Sequence, residues 1–166
     1  MKPAMKLIST ALLDELAAKA AASPRRRAHH NLHTSPTDTV QRFVIVALRD
    51  TYVRPHRHWT KSELVTVIRG QFEMVLFDDG GHVTGRYVVG DGTPNRAYEL
   101  PEGTLHTLLP LVDGAAFLEV KEGPYDPATA AQFAPWAPEE GSSGIAHFQS
   151  WVSKAPVGSR VPGLGT

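Results

Sequence analysis

The spacing of apolar residues changes period twice along the chain. Between Thr10 and Ala22 the apolar residues Leu12, Leu13, Leu16 and Ala20 recur at helical spacing, with alanines at most of the other positions and Asp14 and Glu15 expected in the first turn. Pro24 ends that helix. From Val40 the period shortens to that of strands. The runs Val40 to Leu48, Glu63 to Arg69, Gln71 to Phe77, His82 to Val89, Arg96 to Leu100, Leu105 to Leu109 and Ala115 to Lys121 are each bounded by Gly, Pro, Asp or Asn. Asp78-Asp79-Gly80-Gly81 is a hairpin turn signal, and Phe72, Met74 and Leu76 alternate as core positions. Many short strands with no helices between them predict an all-β sandwich or barrel. Beyond Tyr125 the pattern dissolves: residues 127–166 hold five prolines and five glycines, with one apolar patch near Phe148 and Trp151. The expected organisation is an N-terminal helix and basic arm (1–39), a β-barrel (40–126) and an irregular, wrapping or flexible Pro/Gly-rich extension (127–166).

Composition narrows the partners. A chain of 166 residues with 42% hydrophobic side chains fits one domain. Seventeen basic against seventeen acidic residues argue against a protein that neutralises many phosphates, so nucleic acid is not expected. No apolar stretch approaches the roughly 20 residues that span a bilayer, and charges interrupt the N-terminal apolar segment, which predicts a soluble cytoplasmic protein without a membrane partner. The charges divide unevenly, six basic and three acidic in residues 1–39 against nine and twelve in 40–126, as for a solvated arm over an acidic domain. No cysteine is present, so any metal must be held by His, Asp or Glu.

Two of eight histidines, His56 and His58, stand two apart in Tyr52-Val53-Arg54-Pro55-His56-Arg57-His58. In extended backbone alternate residues share a face, which predicts that Tyr52, Arg54, His56 and His58 point the same way. Glu63 follows across a short connection that can return its carboxylate to the same spot. A second fragment, Pro101-Glu102-Gly103-Thr104-Leu105-His106, is a turn that feeds a strand and brings in His106. Three imidazoles and a carboxylate make a mixed site with open positions on a six-coordinate ion. A lone His-x-His is weak; the whole set at its spacing is specific. The bland alternative is a hydrogen-bonded histidine cluster without metal. These ligands accept Fe, Mn, Ni, Co or Zn alike, so one divalent transition metal ion is expected and its identity stays open.

His56-x-His58, then Glu63 and Gly70, match the first cupin motif, and Pro101-x-Gly103-x-x-His106 matches the core of the second. The surrounding text, Asn31-Leu32-His33, Val40-Gln41-Arg42-Phe43, Phe77-Asp78-Asp79, Lys121-Glu122-Gly123-Pro124-Tyr125 and Phe133-Ala134-Pro135-Trp136-Ala137-Pro138, resembles the WbuC family of cupin-fold metalloproteins from about Leu12 to Glu140. The resemblance implies a double-stranded β-helix jelly roll of RmlC-like fold, a metal on His56, His58, Glu63 and His106, and a homodimer. It also suggests a setting among bacterial surface-polysaccharide genes, the reaction being open. Asp50, Asn95 and Pro110 depart from the general cupin pattern at turn or strand-end positions, not at ligands.

Two functions compete: a metal-dependent enzyme, an isomerase, epimerase or dioxygenase acting on a small polar metabolite such as a sugar or sugar nucleotide, and a non-catalytic metal-centred module that binds or senses the small molecule in the barrel. A purely structural metal is the third reading. As an enzyme, Tyr52 is the candidate proton donor and Arg54 the anion anchor; alternatively Arg54 pairs internally with Glu119 or Glu73. Lys61 is expected to be solvated. The Arg25-Arg26-Arg27 run with His29, His30 and His33 is an anion-binding arm or a linker packed on a partner subunit.

Overall fold

The computed structural model describes residues 5–163, so the outermost residues of both terminal segments lie outside the described residues. Helix α1 (Thr10–Ala22) has the expected bounds and starts on Ser9, whose hydroxyl accepts from the Leu12 N–H at 3.2 Å. Asp14 and Glu15 fall beyond its first turn and act as side-chain partners instead: Glu15 meets Lys19 at 2.6 Å and Asp14 meets Arg69 at 2.7 Å.

Ten strands follow among the described residues: β1 (Arg27–Asn31), β2 (Val40–Ala47), β3 (His56–Arg57), β4 (Glu63–Arg69), β5 (Gln71–Phe77), β6 (Val83–Gly90), β7 (Ala97–Leu100), β8 (His106–Pro110), β9 (Ala115–Glu122) and β10 (Gln132–Phe133). They form two antiparallel five-stranded sheets, one ordered β1-β2-β9-β4-β7 and the other β10-β3-β8-β5-β6. This is the jelly roll of the cupin fold. Gly70 is the single residue by which the chain turns from β4 in one sheet to β5 in the other. Its φ of +71° and the 2.7 Å that would separate an added Cβ from Val112 leave room for glycine alone.

Between the sheets Phe72, Met74, Val65, Val67, Val89 and Phe117 form the barrel core, with Phe72 set edge-on to Phe117 at 5.1 Å. The outer face of the first sheet, Val44, Val46 and Ala116, is sealed by Leu13 and Leu16 of α1. The outer face of the second sheet, Val75, Phe77, Val83 and Leu105, is sealed by the C-terminal segment. That segment is more ordered than its composition suggests. It contributes β10 to the second sheet and a helix, α2 (Ile145–Val152), whose Phe148 and Val152 are buried. No helix among the described residues is long and apolar enough to cross a membrane.

Candidate metal centre

Three strands, β3, β4 and β8, deliver four metal-type side chains to one place. His56 on β3 is the register partner of His106 on β8, and directly opposed residues of a ladder share a face. Their ring centroids are 4.6 Å apart, and His58, just past β3, has its ring 5.1 Å from His56 and 6.3 Å from His106. Glu63, the first residue of β4, turns Oε2 to within 3.1 Å of His58 Nε2 and 4.0 Å of His106 Nε2. The turn ahead of β8 is tied to this group: the Gly103 N–H, at a φ of +77°, donates to the His58 carbonyl at 2.7 Å. His58, Glu63 and His106 are buried and His56 is half-buried.

The tautomers follow from the backbone. Nδ1 of His56 lies 2.9 Å from the Arg54 carbonyl, Nδ1 of His106 lies 2.9 Å from the Thr104 carbonyl, and Nδ1 of His58 lies 2.5 Å from the Ala130 carbonyl. A carbonyl only accepts, so each Nδ1 donates and each neutral ring keeps an unprotonated Nε2. Burial, reinforced by His106, depresses His56 to about 3, and burial also lowers His106. Burial opposes the charge on Glu63, but its surroundings, the Lys121 ammonium across the ladder among them, hold the carboxyl at about 2. The result is a buried anion facing imidazole lone pairs.

His58 Nε2 and Glu63 Oε2 are close but form no hydrogen bond, leaving Nε2 buried and without a partner. Two electron-rich atoms at this distance repel unless a proton or metal cation is shared between them. Donors about 2.1 Å from one ion and at right angles stand about 3.0 Å apart, which the 3.1 Å pair matches. Among the described residues no group of three or more His, Asp or Glu side chains is arrayed as a ready metal cage. What fits an ion is therefore the donor chemistry: three nitrogen lone pairs, a carboxylate and carbonyls that fix the rings.

Tyr52 does not share the face predicted for it. Residues 51–55 form no strand, so strict alternation is lost before His56. Tyr52 packs against Phe148 in the cluster outside the second sheet, and its hydroxyl donates to the Pro138 carbonyl at 2.8 Å. Arg54 stays nearer the histidines: its guanidinium carbon is 4.9 Å from the Phe133 ring centroid, and that ring is 6.1 Å from His56. Its Nε is buried without a partner, and the carboxylates considered for it are taken, Glu73 by Arg86 at 2.7 Å and Glu119 by Lys121 at 2.6 Å. Lys61 donates to the Pro124 carbonyl at 2.6 Å. Arg25 and Arg27 each meet Glu140 at 2.8 Å, and Arg26 meets Asp50 at 2.9 Å.

Lys121 and Tyr98, beside Glu63, escaped the sequence reading as site residues, and Glu119 entered it only as a partner for Arg54. Lys121 is the cross-strand partner of Glu63, while Glu119 and Tyr98 both face Val65 across their ladders. Burial and the negative charge of Glu63 raise Glu119 to about 7, against the pull of Lys121. The Tyr98 hydroxyl is buried with no partner, and burial with the two nearby carboxylates pushes its pKa up. Tyr98 lies in a strand whose period signals only packing. Glu119 and Lys121 line a cavity of about 520 Å³ that opens between β1, β2 and β9.

Comparison with known proteins agrees with this architecture. Residues 8–89 match a family model described as a domain of unknown function (DUF6016), and no curated protein matches. Among solved structures, the capsular polysaccharide assembling protein CapF from Staphylococcus aureus is 18% identical over 67% of this chain and 30% of its own, with a TM-score of 0.55. An oxalate oxidase in complex with the substrate analogue glycolate is 16% identical over 69% of this chain and 58% of its own, with a TM-score of 0.50. The KdgF protein from Halomonas sp. is 19% identical over 63% of this chain and 84% of its own, with a TM-score of 0.46. The chain thus spans under a third of CapF and somewhat over half of the oxalate oxidase. The likenesses to CapF and to the oxalate oxidase show the cupin fold.

Proposed function

We propose that the protein binds one divalent transition metal ion through His56, His58, Glu63 and His106, and that it acts as a metal-dependent enzyme on a small polar molecule admitted to the barrel. The observation that carries the reading is the fixed set of tautomers: three backbone carbonyls hold the three Nδ1–H groups and leave every Nε2 lone pair beside an ionised carboxylate. A bound ion supplies Lewis acidity there. Arg54, stacked on Phe133 with Nε unpartnered, is the anion anchor at the rim. Tyr52 is not carried forward as proton donor, because Pro138 holds its hydroxyl.

The motif resemblance supports the finer kinship with the WbuC family, and the fold shared with a capsular polysaccharide assembling protein is compatible with a sugar or sugar nucleotide of surface-polysaccharide biosynthesis as substrate. A cytoplasmic homodimer belongs to the same reading. The test is elemental analysis of protein purified without chelator or a nickel column, repeated on His56→Ala and His106→Ala. The expected result is near one equivalent of metal in the wild type and a loss of at least tenfold in both variants. Equal metal content in all three overturns the proposal.

A further inference from the structure

Three stretches of sequence that the metal site leaves unused meet at one place. Asn31 and His33 come from the end of β1 and the turn after it, Gln41 and Phe43 from β2, and Lys121 and Tyr125 from β9 and the segment beyond. All six line the 520 Å³ cavity. That volume suits a molecule of sugar or small drug size.

The walls are built rather than merely left open. Buried His33 is fixed through Nδ1, 3.0 Å from the Arg42 backbone, and lies edge-on to Phe43 at 4.8 Å. Gln41 is held by donating to the Asp38 carbonyl at 2.7 Å and the Pro36 carbonyl at 3.2 Å, while its own Oε1 has no partner. Lys121 Nζ lies 5.2 Å from the Phe43 centroid and 2.6 Å from Glu119.

Charge indicates the occupant. Arg25, Arg27 and Lys121 line the cavity against one lining acid, Glu119, and Glu140, which holds the two arginines, lies outside the lining. Lys121 has three donors and only one is needed by Glu119, so two remain for a ligand above the Phe43 ring.

We propose that this cavity binds a small organic anion, with Lys121 receiving its carboxylate or phosphate and His33 and Gln41 receiving the hydroxyl-bearing remainder. The inference deepens the metal-site reading, since Lys121 is the cross-strand neighbour of Glu63 and the ligand would lie next to the ion.

The test is isothermal titration of the full chain, as purified, with glucuronate, glucose 1-phosphate and neutral glucose. Binding of either anion at least tenfold tighter than glucose supports the proposal, and which anion binds identifies the head group. Lys121→Gln should weaken that binding at least tenfold. Removing Lys121 alone leaves Glu119 buried without its partner, so the double variant Glu119→Gln/Lys121→Gln, which removes both charges, serves as the folded control and should show the same loss. No binding by any probe, glucose binding as tightly as the anions, or unchanged affinity in the double variant overturns the inference. Metal content measured on the same samples keeps the two readings apart. Anion binding through Lys121 in metal-free wild type sinks the metal assignment alone, and a full metal complement without anion binding sinks the cavity assignment alone.

Discussion

Glu63 shows how one side chain organises a site by its charge. Its carboxyl is held ionised inside the barrel, and everything within reach responds: His58 and His106 turn Nε2 toward it, Lys121 stands across the ladder, and Glu119 is pushed the other way. Tyr98 is the exception. Its hydroxyl is buried beside two carboxylates and bonds to neither. An unmade hydrogen bond in a dry place costs about 1–3 kcal/mol. Tyr98→Phe keeps the ring and deletes the orphan, so urea unfolding should show a protein about 1 kcal/mol more stable. A destabilised variant would mean that the hydroxyl has a partner the structure does not reveal. His58 illustrates the opposite economy, since its one satisfied nitrogen, on the Ala130 carbonyl, is what leaves the other bare.

Among the elements, α2 is short but buries two side chains, Phe148 and Val152. Eight residues place Phe148, only 4% exposed, among the rings of Tyr52, Trp136 and Trp151 against the outer face of the second sheet. Phe148→Ala should therefore cost about 3–5 kcal/mol in urea unfolding. A cost under about 1 kcal/mol would mean that the segment is only loosely seated. This element was poorly legible in the sequence. It is short, lies between glycines and prolines, and starts at Gly144 without a side-chain cap, so only the apolar patch near Phe148 and Trp151 hinted at it. β1 was hidden for another reason: Arg27-Ala28-His29-His30-Asn31 has no apolar alternation, because one side of this edge strand faces a wet cavity. By contrast α1, β4 and β5 match their expected bounds, since each buries a regular stripe. The clustering of His56, His58, Glu63 and His106 was legible because spacing and turn residues carried it, and the structure brings those four side chains together. The orientation of Tyr52 was not, because Pro55 precedes the site and the strand period does not extend back through 51–55.

At the scale of the molecule, the two sheets are clasped from both sides, by α1 on one face and the C-terminal segment on the other. The two wrappings are joined where Arg25 and Arg27 meet Glu140. Burial opposes the charge on Glu140, but hydrogen bonds from both arginines outweigh it and hold its carboxyl below the usual 4.5. A depressed carboxyl stabilises the fold above its unfolded pKa, and that contribution fades as pH falls through the folded value. Glu140→Gln should therefore destabilise the fold at pH 7 by under about 1 kcal/mol, because the pair is partly exposed, and by progressively less as pH falls below the usual carboxylate range. A difference as large at pH 3 as at pH 7 would assign the effect to shape instead of charge.

Ala130, whose carbonyl sets the His58 ring, lies 72 residues downstream of it in the segment that α2 anchors. Linked equilibria are reciprocal, so whatever docking contributes to aligning that imidazole, an ion settling on it returns to the docking. On the proposed metal reading, protein stripped of the ion would offer proteases a looser C-terminus, and protein nicked there would hold the ion less tightly.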